Sequence, residues 1–238
     1  MYLVNIHCHM LPGVDDGARN IKVMEQMIDA SYDSGVRVIC MTPHHNPEFF
    51  HCPREKIIVA YRGAVSYAAS KHPDMRVLLG QEIYCHHDSV NELLSGECFS
   101  LNKTRNVLVE FGPFDDRTAI FSGVTRFLTS GFIPVIAHIE RYSSLRKNKK
   151  DIEELRSLGA LVQVNAASVL GKHGFMTKMF VMSLIKGGLV DIVADDSHDL
   201  ASKRPCLGDA FKVVSDKFGS NIAEALFCKN PLSVIKNG

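Results

Sequence analysis

The chain has 238 residues, 46% of them apolar, and sets 27 Lys and Arg against 26 Asp and Glu for a net charge of +1; this suits one substantial core and a single domain over residues 1–238. The balanced charge excludes an electrostatic footprint for nucleic acid or an anionic membrane, so any phosphate recognition must be local. No apolar run has bilayer-spanning length and no secretory leader pattern opens the chain, so the expectation is a cytoplasmic protein without membrane insertion.

In chain order, short β-branched runs alternate with helical stretches. Leu3 to His7 reads as the first strand and runs into NIHCHMLPGVDDG, residues 5–17. Alternation along an extended backbone puts His7 and His9 on one face and Cys8 on the other. Two adjacent imidazoles make a chelate if further ligands converge, and are otherwise half-buried histidines; the motif alone does not decide. IKVMEQMIDASYDSG then places Ile21, Met24 and Ile28 on one helical face with Met27 beside them, ending at Gly35. Val36 to Met41 is the second strand, followed by TPHH with His44, and Pro53 suits the first turn of a helix running to about Ser70. Val77 to Glu82, Val107 to Phe111, Ile133 to Ala137, Leu161 to Val164 and Leu189 to Ala194 complete seven strands. The succession of helix, glycine and strand returns at Gly131, Gly159 and Gly187, where glycine can take the left-handed conformation that ends a helix.

Alternating strands and helices argue a parallel sheet, closed or open. Polar residues collect at the strand ends: His7 and His9, His44, Glu82, Glu110, His138, Asn165, then Asp196 with His198. A barrel gathers the carboxyl ends of all its strands into one mouth, whereas an open sheet spreads them along a line, which favours the barrel. Each residue alone has a plain structural explanation, but that explanation must be invoked afresh at every strand. Imidazoles and carboxylates without thiolates suit manganese, iron, magnesium or zinc. The seven cysteines form no C-x-x-C pair, and the sixth position after each is Val14, Asn46, Ile58, Asn91, Thr104, Lys212 or Val234, never the arginine that a cysteine-dependent phosphatase needs.

IHCHMLPGVDDG, TPHHN, GQEI, VLVEF, PVIAHIERY and DDSHD, taken together, resemble the successive motifs of the polymerase and histidinol phosphatase (PHP) superfamily. More narrowly they resemble its bacterial manganese-dependent protein-tyrosine phosphatases of capsule and exopolysaccharide loci, from residue 4 to about 218. The resemblance implies a distorted TIM-like (β/α)7 barrel with three divalent ions, manganese foremost. It implies one ion on His7, His9 and Asp196 with Glu82 bridging, a second on Glu82, Glu110 and His138, and a third on Asp16, His44 and His198. Arg141 matches the family's phosphate-binding arginine; the second such position falls on Lys203, with Arg204 one residue on as the candidate. Asp195 reads as a strand-end residue outside the ligand set, and His45, His51, His72, His86, His87 and His173 match no ligand, His86 and His87 reading as solvated loop residues. Gly17 gives the backbone room to turn after Asp16.

The implied activity is metal-dependent hydrolysis of phosphotyrosine on a protein, the substrate being the tyrosine-rich tail of a bacterial kinase that governs exopolysaccharide assembly. A small-molecule phosphatase such as histidinol-phosphate phosphatase shares the metal motifs and is the main alternative. An exonuclease is disfavoured by the lack of basic excess, and a noncatalytic module by the complete set of nine ligand positions. Oligomeric state is not legible in the chain.

Overall fold

The computed structural model describes residues 2–50 and 52–236; His51 lies outside the described residues. Among the described residues, nine strands run β1 (Leu3–Asn5), β2 (Val36–Met41), β3 (His44–His45), β4 (Arg76–Leu79), β5 (Glu82–Tyr84), β6 (Asn106–Glu110), β7 (Ile133–Ile136), β8 (Leu161–Asn165) and β9 (Ile192–Ala194). The helices are α1 (Ile21–Asp33), α2 (Arg54–Lys71), α3 (Ser89–Ser95), α4 (Arg117–Thr129), α5 (Ser143–Lys147), α6 (Lys149–Ser157), α7 (Ala166–Leu170), α8 (Phe175–Lys186), α9 (Leu207–Phe218), α10 (Ser220–Glu224) and α11 (Asn230–Val234).

All strand pairs are parallel, in the orders β1-β2-β4 and β3-β5-β6-β7-β8-β9. These are the expected seven passes, two of them broken. Pro43 lacks the N–H a ladder needs and separates β2 from β3. The expected strand Val77 to Glu82 is interrupted at Gly80 and Gln81, whose amides donate to Met41 and Phe99. At the carboxyl ends the ring closes: Cys8 and Ser197 form a parallel bridge, the Asp196 amide donates to the His7 carbonyl at 2.9 Å, and the His9 amide donates to that of Ser197 at 2.8 Å. The result is a distorted parallel barrel.

Two apolar layers follow from strand alternation. Val4, Ile6, Val38, Cys40, Leu108, Val135, Ala137, Ile192 and Ala194 fill the interior, plugged by Val234 and Ile235 from the C-terminal segment. Leu3, Ile39, Val107, Val109, Ile136, Val162 and Val193 face outward and pack under the helices. In α1 the buried set is Met24, Met27, Ile28 and Ser31, while Ile21 at the first position is 63% exposed and lies off the expected face. α2 begins after Pro53 as expected. Gly35, Gly131 and Gly159 take positive φ at 97°, 86° and 110°, but after α8 it is Gly188, at 68°, and not Gly187 that does so. Among the described residues no helix is long and apolar enough to cross a membrane.

Candidate metal centre

The barrel mouth brings the nine expected ligand side chains into one polar cluster linked by successive contacts. Interior alternation slips by one after Ile6, so that Cys8 packs outward while His7 and His9 turn inward, with their Nε2 atoms 3.3 Å apart. Glu82, fully buried, stands at the centre. Its Oε2 lies 3.1 Å from His7 Nε2, 3.2 Å from His9 Nε2 and 3.2 Å from His44 Nδ1, and its Oε1 lies 2.8 Å from His138 Nε2. Glu110 approaches His138 at 3.4 Å and His44 at 3.6 Å. Asp196 lies 3.4 Å from His7 and 3.5 Å from His9. Asp16 Oδ1 faces His198 Nε2 at 3.4 Å and His44 Nε2 at 3.6 Å. His44 thus sits between two groups, with Nδ1 toward Glu82 and Nε2 toward Asp16.

The ring nitrogens facing away from the cluster have their own acceptors. His7 Nδ1 donates to Gln163 Oε1 at 3.1 Å, and the same oxygen accepts the His138 amide at 2.8 Å, which fixes the Gln163 orientation. His9 Nδ1 donates to Asp15 Oδ2 at 2.8 Å, and His198 Nδ1 to the Asp196 carbonyl at 3.0 Å. His138 Nδ1 lies 3.4 Å from the Tyr142 hydroxyl, which itself donates to the Ala137 carbonyl at 2.9 Å. In the neutral rings these partners set the tautomers so that Nε2 of His7, His9, His138 and His198 presents a lone pair toward carboxylate oxygens, the form a cation can bind. Lone pairs converging on lone pairs repel unless positive charge lies between them, and Glu82 Oε2 has no hydrogen-bond partner although buried. The donor set, imidazole and carboxylate, fits divalent cations of borderline to hard character.

Burial by itself raises Glu82, but the His7 and His44 imidazoles hold it well below the ordinary carboxylate range. Asp196 is likewise held low, against burial, by His7 and Arg141. Burial and Arg141 push His138 down, yet Glu110 and Glu82 bring it up to about 9. Burial instead dominates at His44 and lowers it. Every one of the seven thiols is raised, chiefly by burial, which suppresses the thiolate a nucleophile requires.

Backbone conformation aims several of these groups. His138 and Asp196 adopt positive φ, 29° and 52°, a region costly for residues with a Cβ and found where surrounding structure enforces it. Gly17 is required for a different reason from the expected turn: a Cβ there would lie 2.0 Å from the His9 carbonyl oxygen.

Arg141 reaches the cluster, its guanidinium 2.5 Å from Asp196 Oδ2 and its side chain 33% exposed. Arg204 is exposed and, among the described residues, takes no ion pair. Asp195 is fully buried away from the cluster, accepting from Asn5 Nδ2 and the Cys206 amide, and burial pushes it up to about 7. His87 is exposed, but His86 shares Glu92 Oε2 with His45 at 3.0 and 2.9 Å and is not a solvated loop residue.

Sequence reasoning missed Asp15, Gln163 and Asn165 as positioning groups. Asp15 holds the His9 ring and also accepts the Gly17 and His44 amides, both at 3.0 Å; its signal was the paired aspartates, of which only Asp16 had been singled out. Asn165 Nδ2 donates to Asp196 Oδ2 at 2.7 Å.

A family model described as capsular polysaccharide synthesis, CpsB/CapC, matches residues 3–236. The tyrosine-protein phosphatase CpsB of Streptococcus pneumoniae is 33% identical over 239 residues, 98% of either chain. The tyrosine-protein phosphatase YwqE of Bacillus subtilis is 32% identical over 221 residues, 92% of this chain and 87% of that one. Among solved structures, one from the work on YwqE and CpsB, described as unique metal-dependent tyrosine phosphatases, superposes with a TM-score of 0.91 at 29% identity and covers 98% of this chain and 94% of that one. The phosphotriesterase homology protein of Escherichia coli shares the fold alone, with a TM-score of 0.66 at 11% identity over 99% of both chains.

Proposed function

The chain belongs to the CpsB/CapC capsular polysaccharide synthesis family, and from that premise we propose that it is a metal-dependent protein-tyrosine phosphatase working in the mouth of its barrel. The observation that carries this reading is Glu82, a buried carboxylate with an unbonded oxygen facing three imidazole nitrogens at 3.1–3.2 Å. His7, His9, Asp196 and Glu82 would hold one ion; Glu82, Glu110 and His138 a second; Asp16, His44 and His198 a third, manganese being the first candidate for all three. When bound, such ions supply Lewis acidity and a nucleophilic water at neutral pH.

The rest of the chemistry falls to the chain. Asp15 and Gln163 keep the His9 and His7 rings in their ligating tautomer. Arg141, anchored by Asp196 but part-exposed, presents a planar fork that suits phosphoryl oxygens, so charge developing there is met at a fixed place. Arg204 lies on the loop after the last ligand and would add a second, looser contact. With the imidazoles and carboxylates of the cluster committed to ions, none is left to protonate a leaving group, which favours an aryl ester: phenol, with a pKa near ~10, leaves more readily than an aliphatic alcohol. The raised thiols support a reaction without a cysteine nucleophile. A phosphotyrosine on a flexible protein segment, such as the tyrosine-rich tail of a capsule-regulating kinase in the cytoplasm, is the substrate this reading selects.

The test is phosphate release from phosphotyrosine and phosphoserine versions of one peptide and from histidinol phosphate, before chelation, after it and with manganese restored. Phosphotyrosine should lead in kcat/KM, chelation should abolish turnover, and iodoacetamide should leave it intact. Faster turnover of histidinol phosphate would make the protein a small-molecule phosphatase, and inactivation by alkylation with metal retained would refute the site.

A further inference from the structure

A cavity of about 790 Å3 opens on the flank of the barrel, and none of its lining residues belongs to the metal cluster. Its volume lies within the range of small-molecule sites, ~300–1,000 Å3. One wall is a face of α2: Arg54, Ile58, Tyr61 and Arg62 follow the spacing that brings side chains to one helical stripe. The residues α2 buries in the core are others, Ile57, Ala64 and Ala68, so this second stripe is turned to the cavity. Facing it are Phe99, Lys103 and Phe132.

Two properties set the cavity apart from an ordinary surface hollow. Three cations, Arg54, Arg62 and Lys103, line it with no acidic residue among them, in a chain whose overall charge is only +1. Among the described residues none of the three is engaged in an ion pair, and Arg54 instead lies over the Phe99 ring at 4.9 Å. Exposed cations with no carboxylate beside them give the cavity a local positive potential that favours an anion. The cavity also offers half-buried aromatic faces from Tyr61, Phe99 and Phe132, surfaces on which a planar group stacks. Asn102 and Lys103, in succession, hold positive φ of 50° and 61°, a conformation that for lysine is unusual and tends to mark ligand-contacting loops. Hydrogen bonds from Asn102 Nδ2 to the Ile235 carbonyl at 2.8 Å and from Thr104 Oγ1 to that of Val234 at 2.9 Å fix this loop on the C-terminal segment.

We propose that this flank cavity is a second ligand site, separate from the metal cluster, for a polyanion with a planar aromatic body, of the size and charge of a nucleoside diphosphate. Phosphates would engage Arg54, Arg62 and Lys103, and the ring would stack in the aromatic part of the cavity.

The chain has no tryptophan, so Phe132→Trp installs a single fluorophore in the cavity of the metal-loaded protein. ADP should change its emission and bind more tightly than either pyrophosphate or adenosine alone. Arg62→Glu and Lys103→Glu, at exposed positions, should each weaken ADP by roughly tenfold or more, as expected when a charge-assisted contact is reversed, and neither should alter turnover of a phosphotyrosine peptide. Calorimetry on the chain with its native Phe132, with and without Arg62→Glu, gives the same comparison should the tryptophan variant fold poorly. The proposal is overturned if ADP fails to bind at about 1 mM, a free energy of only about −4 kcal/mol. It is equally overturned if pyrophosphate binds as well as ADP, or if ADP binds undiminished in Arg62→Glu while inhibiting the phosphatase, which would place the anion on the metal cluster.

Discussion

The lower and upper halves of the barrel interior are built by the same strands and held together by opposite physics. Below, Ile6, Cys40, Leu108, Ala137 and Ala194 form an apolar plug; one or two residues further along those strand passes, His7, Glu110, His138 and Asp196 form a buried array of lone pairs and charges. The lower half gains from every methyl group removed from water. The upper half carries desolvation costs that only bound cations or protons offset. A (β/α) barrel can therefore keep its fold and its chemistry on separate levels of the same strand, with neighbouring positions answering to different requirements.

The sharpest way to break that division is Glu82→Gln, which keeps shape and removes the central charge. Metal content should fall by at least one ion per chain and the rate by roughly a thousandfold or more, several kcal/mol of transition-state stabilisation, with circular dichroism little changed. Retention of both metal and rate would remove Glu82 from the centre of the site. Leu108→Ala is the matching perturbation below: about 2–5 kcal/mol of stability should be lost, read as a lower denaturant midpoint, while the folded fraction keeps its metal. If instead the metal leaves at full folding, the two levels are not independent.

Arg141→Ala separates substrate handling from ion binding within the upper level. Elemental analysis should find the metal in place, and kcat/KM should drop by roughly 100- to 1,000-fold, about 2.7–4 kcal/mol, the usual cost of one lost contact to developing charge. Metal loss there would mean that the Asp196 pairing is structural first. The smallest expected effect belongs to Asp15→Asn, which touches the cluster only through His9 and the loop amides. A drop of roughly 10- to 100-fold in metal affinity, measured by competition with a chelator, is typical of such supporting carboxylates; an unchanged affinity would show that the His9 tautomer is held some other way.

The seven strand passes were legible because β-branched runs and helix-ending glycines are local signals, and the polar residue at each strand end falls at a countable distance from its run. His7 and His9 sharing a face needed only alternation. What stayed hidden depends on partners distant in sequence. Gln163 orients His7 across 156 residues and Asp15 meets the His44 amide across 29, and neither relation leaves a periodic trace. The break after Leu79 was equally invisible, since it arises at Gln81, whose amide leaves the β2 pairing for the Phe99 carbonyl. Gly17 was singled out, but its reason, the crowding of the His9 carbonyl, exists only once the turn has folded back. His44 facing two groups at once could not be read from its place in TPHH.

The bridge between Cys8 and Ser197 that closes the barrel also sets a timetable. Its neighbours Asn5 and Asp195, joined by a hydrogen bond, lie 190 positions apart. At a synthesis rate of ~5–20 residues per second, roughly 10–40 s separate the emergence of the first two imidazoles from that of their last carboxylate. Through that interval Asp16, His44, Glu82, Glu110 and His138 follow His7 and His9 in turn, and only Asp196 and His198 are still to come after His138. Closure of the ring is a late, long-range event of the kind that slows folding, and a nascent chain acquires its catalytic apparatus only when its two distant segments have met.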